Sequence, residues 1–205
     1  MSEIETEGGF FKRFATFDLV VIAIFVGVWY GLQQVLFVGV AAVPAPISWV
    51  LSVIFYELLA MTLVMLAATI IRKGGTVFLI FFLHGLLEVV LFPNIFSLVG
   101  LVADVLPGVL IEVFFYGTSG YPSGPWAMTS SVKTGLGATL RALVTYPFQL
   151  LLLTVTFPEY VEFVEFFYGF NYGVFIILNV VIGVIFGFIA GIIGYSIGQK
   201  VREAI

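Results

Sequence analysis

Runs of apolar residues long enough to cross a bilayer constrain this chain more than any other feature. About 20 such residues span the roughly 30 Å of hydrocarbon in a membrane, and six runs qualify, at approximately 17–40, 47–71, 75–93, 95–116, 132–157 and 172–198. The third and fourth are separated only by Pro93-Asn94, a helix breaker. With 61% hydrophobic and 10% charged residues and a mean hydropathy of +1.19, the chain falls among polytopic membrane proteins. The expected fold is an all-α membrane protein, a six-transmembrane-helix bundle. Its parts are an N-terminal segment (1–16), a membrane domain (17–199) and a C-terminal tail (200–205).

The basic residues give the bundle a direction. Lys12 and Arg13 precede the first run, and Arg72 and Lys73 join the second to the third. Lys133 and Arg141 open the fifth, and Lys200 and Arg202 follow the sixth. Six crossings put all of them at one face, with no Lys or Arg in the opposite loops. Because positive charge marks the cytoplasmic side, both termini are expected to be cytoplasmic in a multi-pass protein of the cell membrane. The acidic stretch Met1–Gly9 lacks the basic start of a signal peptide, so the first run reads as a retained helix.

Other classes lose support on the same grounds. There is no basic patch for nucleic acid. The absence of cysteine removes disulfides, thiolate metal sites and cysteine nucleophiles. His84 is the single histidine, no HExxH or phosphate-cradling loop occurs, and no serine has an activating Lys or His at its depth. Neither an enzyme nor a metal or other cofactor is expected. The outer Pro158–Gly173 segment, with apolar residues at 160, 163, 166, 167 and 170 among Glu159, Glu162 and Glu165, reads as a short interfacial helix or an aromatic belt. The inward Gly117–Ser131 segment reads as irregular chain.

Ionisable residues inside apolar helices are costly and normally face a cavity or a partner. His84 and Glu88 share one helical face, because i and i+4 align. Together with Glu57, Asp104, Gln149, Asn171, Asn179, Trp49 and Tyr146, they are the candidates for an outward-facing substrate pocket. Carboxylates, amides and aromatic rings suit a small planar ligand, including a cationic one. Glu112 and Arg141, both placed toward the inner face, are expected to form a structural ion pair. Ala23, Gly27 and Gly31 make a small-residue stripe on the first run, and Gly183, Gly187 and Gly191 make another on the last. Such stripes let a second helix approach closely, within the bundle or from a partner.

The layout resembles the substrate-binding S components of energy-coupling factor transporters. The similarity rests on six short spans, the Ala-xxx-Gly-xxx-Gly stripe, the Arg72-Lys73-Gly74-Gly75 turn before the span bearing Glu88, and Gly108-Val109-Leu110-Ile111-Glu112. The thiamine or hydroxymethylpyrimidine subgroup is the nearest, with Gly74 standing where that subgroup tends to have Pro. The resemblance implies a vitamin-capturing subunit that works with a transmembrane coupling protein and two ATPase subunits. It also implies that Ala23, Gly27 and Gly31 dock the coupling protein. Two other readings of the residues stay open: a secondary transporter relaying protons through His84, Glu88 and Asp104, and a structural subunit of a membrane complex.

Overall fold

The computed structural model describes residues 14–117, 128–169 and 171–204, and every element among them is helical. The helices are α1 (Thr16–Ala41), α2 (Ile47–Ile71), α3 (Thr76–Leu91), α4 (Ile95–Gly117), α5 (Met128–Thr156), α6 (Glu159–Tyr168) and α7 (Tyr172–Ala204). Five of them, α1, α2, α4, α5 and α7, are long and apolar enough to cross a membrane. The chain is therefore a multi-pass membrane protein. α3, expected over 75–93, has 16 residues, about 24 Å of helix. The tail from Lys200 to Ala204 continues α7. Lys12, Arg13, Met1–Gly9 and most of the 117–131 segment lie outside the described residues, although residues 128–131, expected to be irregular, open α5.

Residue pairs across the helices fix their directions. Asp18–Lys73, Trp29–His84 and Gln33–Glu88 keep a constant offset, so α1 and α3 run parallel. Val77 meets Glu112, Phe81 meets Gly108 and His84 meets Asp104, so α3 and α4 are antiparallel. Ala103–Thr145 and Phe115–Gly137 make α4 and α5 antiparallel, and Ala138–Gly187 and Ala142–Gly183 do the same for α5 and α7. Trp49–Asn179, Met65–Gly194 and Thr69–Gly198 make α2 and α7 parallel. Thus α1, α3 and α5 point one way and α2, α4 and α7 the other. Short as it is, α3 takes a full place in the alternation. The start of α1 and the end of α7 consequently share one end of the bundle, together with Arg72, Lys73 and Lys133.

The turn between α2 and α3 is built at that end. Arg72 ends α2 in the left-handed conformation at φ 54°, and Gly75, at φ 94°, starts α3 where a Cβ would be strained. Lys73 Nζ lies 2.5 Å from Asp18 Oδ2, which also accepts the Ala15 backbone N–H at 2.7 Å and so ties the turn to the N-terminus of α1. Glu112 Oε1 accepts the Val77 and Phe78 backbone N–H groups at 2.7 and 3.3 Å. The first turn of a helix has free N–H donors and a positive dipole end, so a carboxylate there contributes on the order of 1–2 kcal/mol.

The last helix carries the tightest packing. A Cβ on Gly194 would lie 2.5 Å from the Thr62 carbonyl oxygen, and one on Gly191 2.7 Å from that of Thr134. Gly183 and Gly198 are similarly closed by Ala142 and Thr69. The α7 stripe therefore brings backbones together inside the bundle. The α1 stripe differs: Ala23, Gly27 and Gly31 are exposed, and a Cβ at Gly27 or Gly31 would meet nothing within 4 Å. Around it, Ile24, Val28, Leu32 and Val35 also face outward.

Within the outer Pro158–Gly173 segment, read as an interfacial helix or an aromatic belt, a short helix does form as α6, with Phe163, Phe166 and Phe167 exposed beside its three acids. Its anchor is Val164, fully buried with Trp49, Val53, Leu150 and Phe175.

Candidate functional site

A cavity of about 550 Å³ opens at the end of the bundle that carries the α3–α4 turn. Phe92, Asn94, Phe96 and Ser97 form its mouth, α1 contributes Gln33, Gln34 and Phe37, and α2 contributes Ser52, Val53 and Tyr56. Glu88, Asp104, Arg141, Tyr146 and Gln149 complete the wall from α3, α4 and α5. Below them the space is filled by Met61, Val64, Phe81, Ile111, Phe115 and Ala138, all fully buried. The cavity is a blind pocket that ends partway through the bundle.

One wall is a continuous polar chain. Gln33 Nε2 donates to Glu88 Oε1 at 2.8 Å, Gln33 Oε1 lies 2.8 Å from His84 Nε2, and His84 Nδ1 lies 3.1 Å from Asp104 Oδ2. Trp29, fully buried, stacks on the His84 ring with centroids 3.8 Å apart and planes inclined by 11°. Helical geometry explains the assembly: Trp29 and Gln33 are i and i+4 on α1, His84 and Glu88 are i and i+4 on α3, and the parallel packing sets the two faces together. Buried polar groups of this kind are tolerable only when they satisfy one another.

An ion pair backs another part of the wall, where Arg141 lines the cavity. Arg141 Nη1 bonds Glu57 Oε1, with both side chains buried. The guanidinium lies 4.5 Å from the Tyr56 ring centroid and 5.7 Å from that of Tyr146, so the cation sits among aromatic faces. This corrects the expected pairing of Glu112 with Arg141. α5 begins at Met128, four residues before the expected start, so Arg141 lies about 20 Å along the helix. There it reaches Glu57 near the middle of α2, while Glu112 is engaged by the N-terminus of α3.

Of the residues expected in the pocket, Glu88, Asp104, Tyr146 and Gln149 line it, and His84 and Glu57 stand behind the wall, bonded to residues that do. Trp49, Asn171 and Asn179 lie elsewhere. Trp49 Nε1 donates to Asn179 Oδ1 at 3.3 Å between α2 and α7, and Asn179 Nδ2 donates back to the Phe175 carbonyl at 2.8 Å. Asn171 is exposed and donates to Glu165 at 3.3 Å. Sequence reasoning passed over Gln33, Gln34, Tyr56 and Arg141 as pocket residues. Gln33-Gln34 could have been noticed, as two adjacent amides in an otherwise apolar helix.

Donor atoms of His84, Glu88 and Asp104 lie within 4.8 Å of one another, close enough in principle to hold a metal ion. Both ring nitrogens of His84 are, however, engaged by Gln33 and Asp104, and a metal would have to displace one of those bonds. The arrangement suits binding better: apolar and aromatic walls with a few placed polar groups and a carboxylate, Glu88, with partial access to the opening. Comparison with protein-family models, with curated proteins and with solved structures finds no match.

Proposed function

We propose that this chain is the membrane-embedded substrate-binding subunit of an importer, taking a small planar cation, with thiamine or its pyrimidine precursor as the leading ligand. The observation that carries the proposal is the blind pocket with Glu88 and Asp104 on its wall, opening at the end of the bundle that has no Lys or Arg in its loops. α3 then serves as the sixth crossing, in keeping with its place in the alternation of directions. Its shortness requires local thinning of the bilayer or burial against neighbours, and α1 and α4 flank it. The positive-inside rule puts the Lys- and Arg-bearing end, and with it both termini, in the cytoplasm. The pocket mouth accordingly faces outside. A pocket closed below needs a further motion to release its ligand inward, which fits a subunit driven by separate ATPases through a coupling protein.

The exposed Ala23, Gly27 and Gly31 surface is the proposed docking face for that coupling protein. Gly31→Leu is expected to change the stability of the isolated protein by less than about 0.5 kcal/mol, since its Cβ enters open space. It should nevertheless abolish co-purification with the coupling protein. Retention of the complex would count against this face.

Titration calorimetry with thiamine, on purified protein without ATP or a membrane potential, tests the reading. A saturable one-to-one isotherm is expected. A second reading, proton-coupled transport by this chain alone, draws on the Glu88–Gln33–His84–Asp104 chain. Uptake into liposomes holding only this protein, driven by a proton gradient, would favour it.

A further inference from the structure

The hydrogen-bonded chain in the pocket wall limits the charge it can carry. An amide donates only through nitrogen and accepts only through oxygen, and an ionised carboxylate accepts only. With the Gln33 N–H₂ on an ionised Glu88, the Gln33 oxygen requires a proton on His84 Nε2. His84 Nδ1 and Asp104 Oδ2 then need one proton between them. It sits on the ring, making an imidazolium between two carboxylates, or on Asp104, beside a neutral ring. Turning the amide over puts a proton on Glu88 and leaves His84 to donate from Nδ1 to an ionised Asp104. When, in addition, each carboxyl group that only accepts is ionised, every arrangement that makes all three bonds gives the three ionisable groups together one net negative charge.

The surroundings do not alter that total. From α2 and α5, Glu57 and Arg141 cancel as a bonded pair. Tyr30 on α1, Tyr56 on α2 and Tyr146 on α5 are phenols, neutral near pH 7. The Trp29 face stacked on His84 favours placing the positive charge on the ring, and so the negative charge at Glu88.

We propose that the Glu88–Gln33–His84–Asp104 chain holds one shared proton, and that the single negative charge it presents selects a ligand carrying one positive charge. This rests on the pocket being a ligand receptor, and it deepens that reading by setting the charge of the ligand. An uncompensated charge in a membrane interior is costly. A monocation brings the pocket to neutrality, whereas a neutral ligand leaves the charge in place and a dication reverses it. Glu88, at the open end of the chain, receives the ligand's charge, and the shared proton stays.

Two measurements test this. Thiamine carries one fixed positive charge, and its hydroxymethyl-aminopyrimidine moiety is neutral at pH 7.5, so thiamine should bind the wild-type protein about tenfold or more tightly than the pyrimidine. Glu88→Gln should erase that preference, and the calorimetric heat of thiamine binding should be the same in buffers of different ionisation enthalpy. Equal affinities, or release of a proton on binding, overturn the proposal while leaving the importer reading standing. If neither compound binds, the vitamin assignment falls, and the ligand-free protein decides the charge. There, ¹⁵N labelling of the single histidine should show an imidazolium with no carboxylic-acid infrared band from Glu88 or Asp104, or a neutral ring accompanied by one such band that Glu88→Gln or Asp104→Asn removes. A neutral ring with no such band, or an imidazolium with one, overturns the proposal.

Discussion

Arg141→Met is expected to destabilise the bundle by about 3–5 kcal/mol, because it leaves the Glu57 carboxylate buried without its partner. The guanidinium also leaves the faces of Tyr56 and Tyr146, where Met restores only part of the contact. The double variant Glu57→Gln with Arg141→Met should recover most of the loss, since removing both charges removes the desolvation penalty along with the attraction. Denaturation of the four proteins in one detergent gives the coupling energy directly. A single variant as stable as the wild type would mean that Glu57 and Arg141 do not depend on one another. The expected pairing of Arg141 with Glu112 predicts a different partner: Glu112→Gln would rescue Arg141→Met, which the structure gives no reason to expect.

Gly194→Leu should be equally damaging for a different reason. A Cβ at this position would stand 2.5 Å from the Thr62 carbonyl oxygen and 3.0 Å from the Leu66 backbone nitrogen. Backbone atoms cannot swing aside as a flexible side chain can, so α2 and α7 must separate. Overpacking typically costs about 1–3 kcal/mol and more when backbone has to shift, and here the displaced seam also carries the Thr69–Gly198 and Trp49–Asn179 contacts. Loss of folded protein on size-exclusion chromatography, or a melting temperature lowered by more than about 5 °C, is the expected result. Gly27→Leu, on the open face of α1, serves as the control and should behave as wild type in the same assay. Equal behaviour of the two variants would contradict the division of the glycine stripes into an internal seam and an outer face.

That division shows where sequence is informative and where it is not. The spacing of Gly183, Gly187 and Gly191 says that a helix packs closely there, but the same i+4 spacing of Ala23, Gly27 and Gly31 leads to an open surface. Periodicity reports a face, and only the arrangement of the other helices says what lies against it. The helical ranges were legible because bilayer-length apolar runs leave few alternatives. α3 was legible as an element through the Gly75 and Pro93 breaks, with its length overstated by a few residues because Phe92 and Pro93 are as apolar as the helix they follow.

The pocket was read in part. His84, Glu88, Asp104 and Glu57 stand out as ionisable residues in apolar surroundings, and the structure brings each to the same polar region. Arg141 was misassigned because its depth depends on where α5 starts, and the Gly-, Ser- and Pro-rich stretch before it gives no sharp boundary. Asn179 and Trp49 are at a suitable level but bond each other across α2 and α7, since depth fixes only one coordinate and the azimuth around the bundle fixes the other. Gln33 meets both His84 and Glu88 across separations of 51 and 55 residues along the chain. No local pattern announces a contact of that kind.

In the proposed function the pocket receives a small cation at Glu88. Native mass spectrometry of the protein released from a mild detergent, after expression in cells and purification without added ligand, tests it most directly. The expected result is a co-purified molecule bearing one positive charge, bound one to one and absent from the Glu88→Gln protein. A neutral or anionic molecule bound equally by both proteins would contradict it.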